Sequence, residues 1–153
     1  LRIATYKRRS QQFPDNQDMD NISPEARGRQ MSRVKAKDTK PEMIVRRLVF
    51  SMGYRYRLHD ARLPGTPDLV FAGRRKVVFV HGCFWHRHTD CALARLPKSR
   101  LDFWVPKLDG NKARDLTNQR LLRKSGWRVL VVWECELRDV KRLARKIRRF
   151  LET

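Results

Sequence analysis

The chain has 153 residues, the size of one domain, and 41% of them are hydrophobic, enough for one modest core. Thirty-six Lys and Arg against 16 Asp and Glu leave a formal charge of +20. Such an excess repels itself unless a polyanion neutralises it, which makes a nucleic acid the expected partner. No apolar run approaches the ~20 residues of a membrane helix, and the basic, polar N-terminal stretch lacks the apolar centre of a secretory signal. Neither a membrane partner nor export is therefore expected.

Residues 1–22 carry Pro, Asn, Gln and Asp without apolar periodicity and are read as a flexible tail. Ser23-Pro24 is a helix-start signal, and the basic, core-poor stretch to Lys40 reads as a short helix and arm on a polyanion, or as a solvated basic surface. Thr39-Lys40-Pro41-Glu42 resembles a capping box. Ile44, Val45, Leu48, Val49 and Met52 then recur at helical spacing up to Gly53. Tyr54, Tyr56 and Leu58 alternate with Arg55 and Arg57, predicting a half-exposed strand. Leu63 to Pro67 is a turn; Leu69–Phe71 and Val77–Val80 read as buried strands around a turn at Ala72 to Arg75. Segments 99–108 and 111–125 are predicted as two helices, and Trp127–Trp133 as a buried strand. Residues 139–151 are predicted as a helix with Val140, Leu143, Ala144, Ile147, Phe150 and Leu151 inward. This order predicts an α/β sandwich with a mixed sheet and helices on its faces.

Asp68 follows a tight turn and leads into an apolar strand, a place where a carboxylate can bind a hard cation; Mg²⁺ needs only one or two. Turn chemistry alone also places Asp beside Pro. The three cysteines are an odd set, unlike a disulfide framework. Cys83, His88 and Cys91 have short-loop ligand spacing, and Cys135 follows the strand ending at Trp133. Four N/S ligands suit a closed tetrahedral zinc; the alternative is that the cysteines are small buried hydrophobes. His81 and His86 remain free to move protons near neutral pH.

Four runs, Leu63–Asp68, HGCFWHRH at 81–88, DFW at 102–104 and GWRVLVVWEC at 126–135, together resemble the very-short-patch repair (Vsr) DNA endonuclease family. The likeness runs from about Ser23 to Leu137. It implies a restriction-endonuclease-like α/β fold, residues 23–153 as the endonuclease domain, and 23–40 as its basic DNA-clamping arm. It also implies a Mg²⁺-dependent enzyme that nicks double-stranded DNA 5′ to the T of a T·G mismatch left by deamination of 5-methylcytosine. By position, Asp68 resembles the Mg²⁺-binding aspartate, with the Val80 backbone carbonyl as a second ligand. His81 would sit by the scissile phosphate. His86 resembles the general base and Asp115 its orienting partner, while Glu42 resembles an acid that positions metal-bound water. Cys83, His88, Cys91 and Cys135 match the structural zinc ligands, although two residues, Thr89 and Asp90, separate His88 from Cys91 where the family has one.

Phe84, Trp85 and Trp104 match an aromatic wedge that enters the base stack. The physics agrees: an inserted apolar side chain stands in for the neighbouring base when a step is unstacked, and a T·G pair deforms more cheaply than a matched one. Core packing is the alternative for each, and the preferred reading for Trp127 and Trp133. Arg27, Arg29, Met31, Arg33 and Lys35 match the family's N-terminal clamp. The resemblance further implies a monomer in the bacterial cytoplasm, at the nucleoid, with mismatch-repair proteins or a cytosine methyltransferase as candidate partners. Two rivals stand beside this reading: a restriction or defence nuclease of the same fold without mismatch preference, and a non-enzymatic zinc-stabilised DNA-binding module.

Overall fold

The structure is a computed structural model that describes Ser23 and residues 37–153. Its elements are α1 (Lys40–Ser51), β1 (Arg57–Leu58), β2 (Leu69–Phe71), β3 (Lys76–His81), α2 (Leu101–Lys124), β4 (Arg128–Trp133) and α3 (Val140–Glu152), joined in places by short 3₁₀ turns. The strands form one mixed sheet in the order β1-β2-β3-β4. β1, β2 and β3 pair antiparallel, while β3 and β4 pair parallel, with Lys76 opposite Arg128 and His81 opposite Trp133.

Alternation along the strands explains the layers. Leu69, Phe71, Val78 and Val132 face one way and join Val45 and Val49 of α1 and Leu143, Ile147 and Leu151 of α3. Val70, Val77 and Phe79 face the other way and meet Leu122 of α2, with Leu63, Trp127, Val129 and Val131 packed around them. A sheet with helices on both faces is the expected solution for strands apolar on both sides. The mixed α/β class predicted from the sequence is present. No helix among the described residues is long and apolar enough to cross a membrane.

Three local expectations are corrected. Segments 99–108 and 111–125 form one helix, α2, of 24 residues, roughly 36 Å long at ~1.5 Å per residue. Gly110 lies on its exposed side with nothing within 4 Å of an added Cβ, so it weakens the helix without ending it. The strand expected over Tyr54–Leu58 shrinks to Arg57–Leu58. Tyr54 and Tyr56 still pack inward, but Leu58 is 44% exposed, because the chain turns away at His59 with φ 46°. The capping box forms by half: Thr39 Oγ1 accepts the Glu42 N–H at 3.4 Å, whereas the Glu42 carboxylate turns to Arg46 and His59. The arm expected at 23–40 lies for the most part, residues 24–36, outside the described residues, and so does the tail at 1–22.

Candidate active site and metal centre

Topology gathers the chemistry at one edge of the sheet. Parallel pairing brings the exits of β3 and β4 together, and β2, running the opposite way, starts at the same edge. Asp68 stands at the start of β2, Val80 and His81 at the end of β3, and Cys135 just past β4. Asp68, Val80 and His81 border a cleft of about 220 Å³ whose walls also include Thr66, His86 and Asp115.

Asp68 Oδ2 accepts the Val80 N–H at 2.6 Å. Burial, with the Glu42 carboxylate nearby, raises its carboxyl to about 6 against the lowering effect of that N–H. Two carboxylates converging in a buried cleft make a site that a cation would relieve. Glu42 is 2% exposed and ion-paired with Arg46, which also holds Asp38 at 2.7 Å.

The other wall is imidazole. The rings of His81 and His86 stack at 3.8 Å with 9° between their planes. His86 Nδ1 lies 2.5 Å from Asp115 Oδ2, so the proton sits on Nδ1 and the Nε2 lone pair is left free to accept another. His81 is buried, and its Nδ1 has no hydrogen-bond partner among the described residues. Burial, reinforced by His86 and opposed by Asp115, pushes it down to about 4, so it is neutral at pH 7.

The loop after β3 carries the second cluster. One ligand atom each from Cys83, His88, Cys91 and Cys135 lies within 4.8 Å of the others. His88 Nδ1 is 3.5 Å from Cys83 Sγ and 3.4 Å from Cys135 Sγ. A tetrahedral zinc with its usual bond lengths sets S and N ligands roughly 3.5 Å apart, so the donor set fits that ion. Burial raises the thiols of Cys83 and Cys135, so bare thiols keep their protons, and a bound metal is what removes them. The two-residue spacer closes because Asp90 adopts φ 54°, a left-handed conformation that Asp tolerates.

Of the residues expected at the site, the structure brings Asp68, Val80, His81, His86 and Asp115 around the cleft, sets Glu42 behind it against His59, and gathers the four expected zinc ligands together. Phe84 and Trp85 are half-buried in the same loop and meet edge to face at 5.2 Å. Trp104 is 4% exposed and lies beneath them, 5.4 Å from Phe84 and 6.1 Å from Trp85, so it forms their platform rather than a projecting edge. Arg27, Arg29, Met31, Arg33 and Lys35 lie outside the described residues.

Sequence reasoning missed three participants. His59 stands between Glu42 and Asp68. Trp133, assigned to the core, is a partition: His88 stacks on it at 4.1 Å and His81 meets it edge-on at 5.3 Å. Asn111 donates to the Trp85 carbonyl at 3.2 Å, anchoring the loop to α2. Only Asn111 had a sequence signal, the i to i+4 spacing that sets it beside Asp115 on one helix face.

The sequence profile of the family described as DNA mismatch endonuclease Vsr matches residues 19–93. The chain is 53% identical over 133 residues to the type II nicking enzyme V.XorIIP of Xanthomonas oryzae pv. oryzae, covering 87% of this chain and 97% of that protein. It is 44% identical over 125 residues to the type II nicking enzyme V.NmeAIP of Neisseria meningitidis, covering 77% and 89%. With the DNA mismatch endonuclease Vsr of Escherichia coli K12 it shares 42% identity over 117 residues, covering 76% of this chain and 74% of that protein.

Proposed function

This chain belongs to the Vsr family of DNA mismatch endonucleases, and from that premise we propose that it nicks one strand of duplex DNA 5′ to the T of a T·G mismatch, with Mg²⁺ as cofactor. The observation that carries the proposal is the His86–Asp115 pair facing Asp68 across one cleft, a base and a cation ligand that a pure binding module does not require. The fold is proposed to be the restriction-endonuclease-like one, with the endonuclease domain at residues 23–153 after a tail at 1–22.

Asp68 and the Val80 carbonyl would hold the Mg²⁺, which supplies Lewis-acid polarisation of the phosphate and charge neutralisation at the leaving oxygen. His86 accepts a proton from the attacking water at Nε2, while Asp115 fixes the tautomer and balances the imidazolium that results. His81, neutral and stacked on His86, donates a hydrogen bond to the phosphate. Glu42 would orient a water beside that cation. Cys83, His88, Cys91 and Cys135 would bind zinc away from the reaction, fixing the loop that carries His86, Phe84 and Trp85.

Incubation with Mg²⁺ and matched duplexes bearing T·G, T·A or C·G at one site tests the reading. A nick confined to T·G supports it; equal cutting of all three selects a nuclease without mismatch preference. Binding without cutting, unaltered by Asp68→Ala, refutes the enzyme.

Asp115→Asn should lower single-turnover nicking by roughly 10²–10³-fold, because the amide can leave the imidazole in the wrong tautomer; DNA affinity should not change. Trp85→Ala should cost more on T·G than on T·A duplex, narrowing the preference roughly tenfold, in keeping with the few kcal/mol of one unstacked step. Competition binding with the two duplexes measures it, and an equal loss on both would remove the wedge role.

A further inference from the structure

Three of the four histidines serve the proposed reaction or the zinc cluster; His59 serves neither. We infer that His59 is a positioning residue for the divalent-cation site, holding Glu42 and Asp68 in a fixed relation so that one oxygen of Asp68 stays presented to the cleft. The inference rests on the proposed cation site at Asp68.

The geometry is specific. His59 adopts φ 46°, an uncommon conformation for a residue with a side chain, and its side chain is only 15% exposed. That turn takes the chain away from β1 and sets the imidazole against the cleft wall. One ring nitrogen faces each acid. Nε2 is 3.0 Å from Glu42 Oε1 and 2.6 Å from Arg46 Nη2. Nδ1 is 3.9 Å from Asp68 Oδ1. Nε2 thus lies between a donor, the Arg46 guanidinium, and an acceptor, the Glu42 carboxylate, while Nδ1 points to the side of Asp68.

Asp68 is bonded on one side and bounded on the other. The Val80 N–H takes Oδ2, and His59 faces Oδ1 at a distance too long for a hydrogen bond. Oδ1 therefore keeps its lone pairs for a cation while the ring limits where it can swing. Arg46 ties the arrangement to α1, since it binds Glu42, His59 and Asp38 together. Groups that orient a ligand without touching the ion commonly change metal affinity by about 10–100-fold when removed.

The test uses Mn²⁺ as probe, followed by electron paramagnetic resonance on the zinc-loaded protein bound to a pre-nicked T·G duplex, where no chemistry can occur. His59→Ala should weaken Mn²⁺ binding by about 10–100-fold with zinc content unchanged. His59→Gln, which keeps a donor and an acceptor at similar reach, should restore affinity to within about threefold of the native protein. Native Mn²⁺ affinity in a zinc-loaded His59→Ala protein overturns the inference alone, as does equal weakening in both variants. Absence of Mn²⁺ binding by the native protein and by Asp68→Ala alike removes the cation reading itself, and the inference with it.

Discussion

Asp68→Asn should reduce single-turnover nicking of a T·G duplex by roughly 10³–10⁴-fold while leaving duplex affinity within about threefold of the native value. The substitution keeps the shape and the bond to the Val80 N–H, because an amide oxygen accepts it as a carboxylate does. It removes only the negative charge that would hold Mg²⁺. An activity loss below tenfold would move the cation site elsewhere. The pH dependence follows from the same group. Burial raises Asp68 to about 6 in the metal-free protein, above the ~3.9 of an exposed aspartate. Between those values the folded chain keeps a proton that the unfolded chain has released. The stability contributed by that proton is therefore complete below about pH 4 and is lost as pH rises through about 6. Mg²⁺ competes with the same proton, so the Mg²⁺ concentration for half-maximal nicking should climb about tenfold per unit below pH 6 and level off above it. Metal titrations at four pH values check this, and a flat requirement down to pH 5 would contradict it.

Loss of the second cluster should act on the fold and the reaction together. Cys83 is fully buried at the exit of β3, its N–H bonded to the Glu134 carboxylate at 3.3 Å. Cys83→Ser should lower bound zinc from about one per chain to none. It should lower the melting temperature by roughly 10–15 °C, taking ~4 kcal/mol for loss of a ligand about 1,000-fold above its Kd and ~3 °C per kcal/mol at this chain length. Nicking should fall with it, although no zinc ligand touches the phosphate, because His86 lies within the same loop, three residues beyond Cys83. Metal analysis, calorimetry and a nicking assay on one preparation test the three effects. A variant that keeps its zinc would exclude Cys83 from the ligand set; one that loses zinc yet melts as the native protein does would deny the ion a structural role.

The contrast between these sites shows what the sequence could reveal. The His/Cys loop was legible because ligand chemistry demands particular residue types at short spacing. The helix over Lys40–Ser51 and the strand over Arg128–Trp133 were legible because each keeps a single apolar rhythm. Helix α2 was not, and the reason is physical. Its inner face runs Trp104, Leu108, Asn111, Asp115, Asn118, Leu122 at alternating steps of four and three. The stripe is apolar where it meets the core and polar where it crosses the cleft, so periodicity lapses over the cleft-lining segment and Gly110 looks like a break. His59 was invisible for a different reason. It has no motif partner nearby in sequence, and its neighbours come from α1 and the start of β2. Trp133 reads as core because a strand tryptophan normally fills one, and nothing local announces that it meets two histidines, one stacked and one edge-on.

The parallel pairing of β3 and β4 has a consequence for when activity can appear. The paired residues are 52 positions apart, with all of α2 between them. Closing so long a connection is a non-local, entropically costly event in folding. Glu42, Asp68, His81, Asp115 and Cys135 come from separate segments that only the folded topology brings together. An incomplete or misassembled chain thus contains every reactive group and no working arrangement of them. The arrangement that could cut DNA is a property of the completed fold and of no contiguous stretch of the chain.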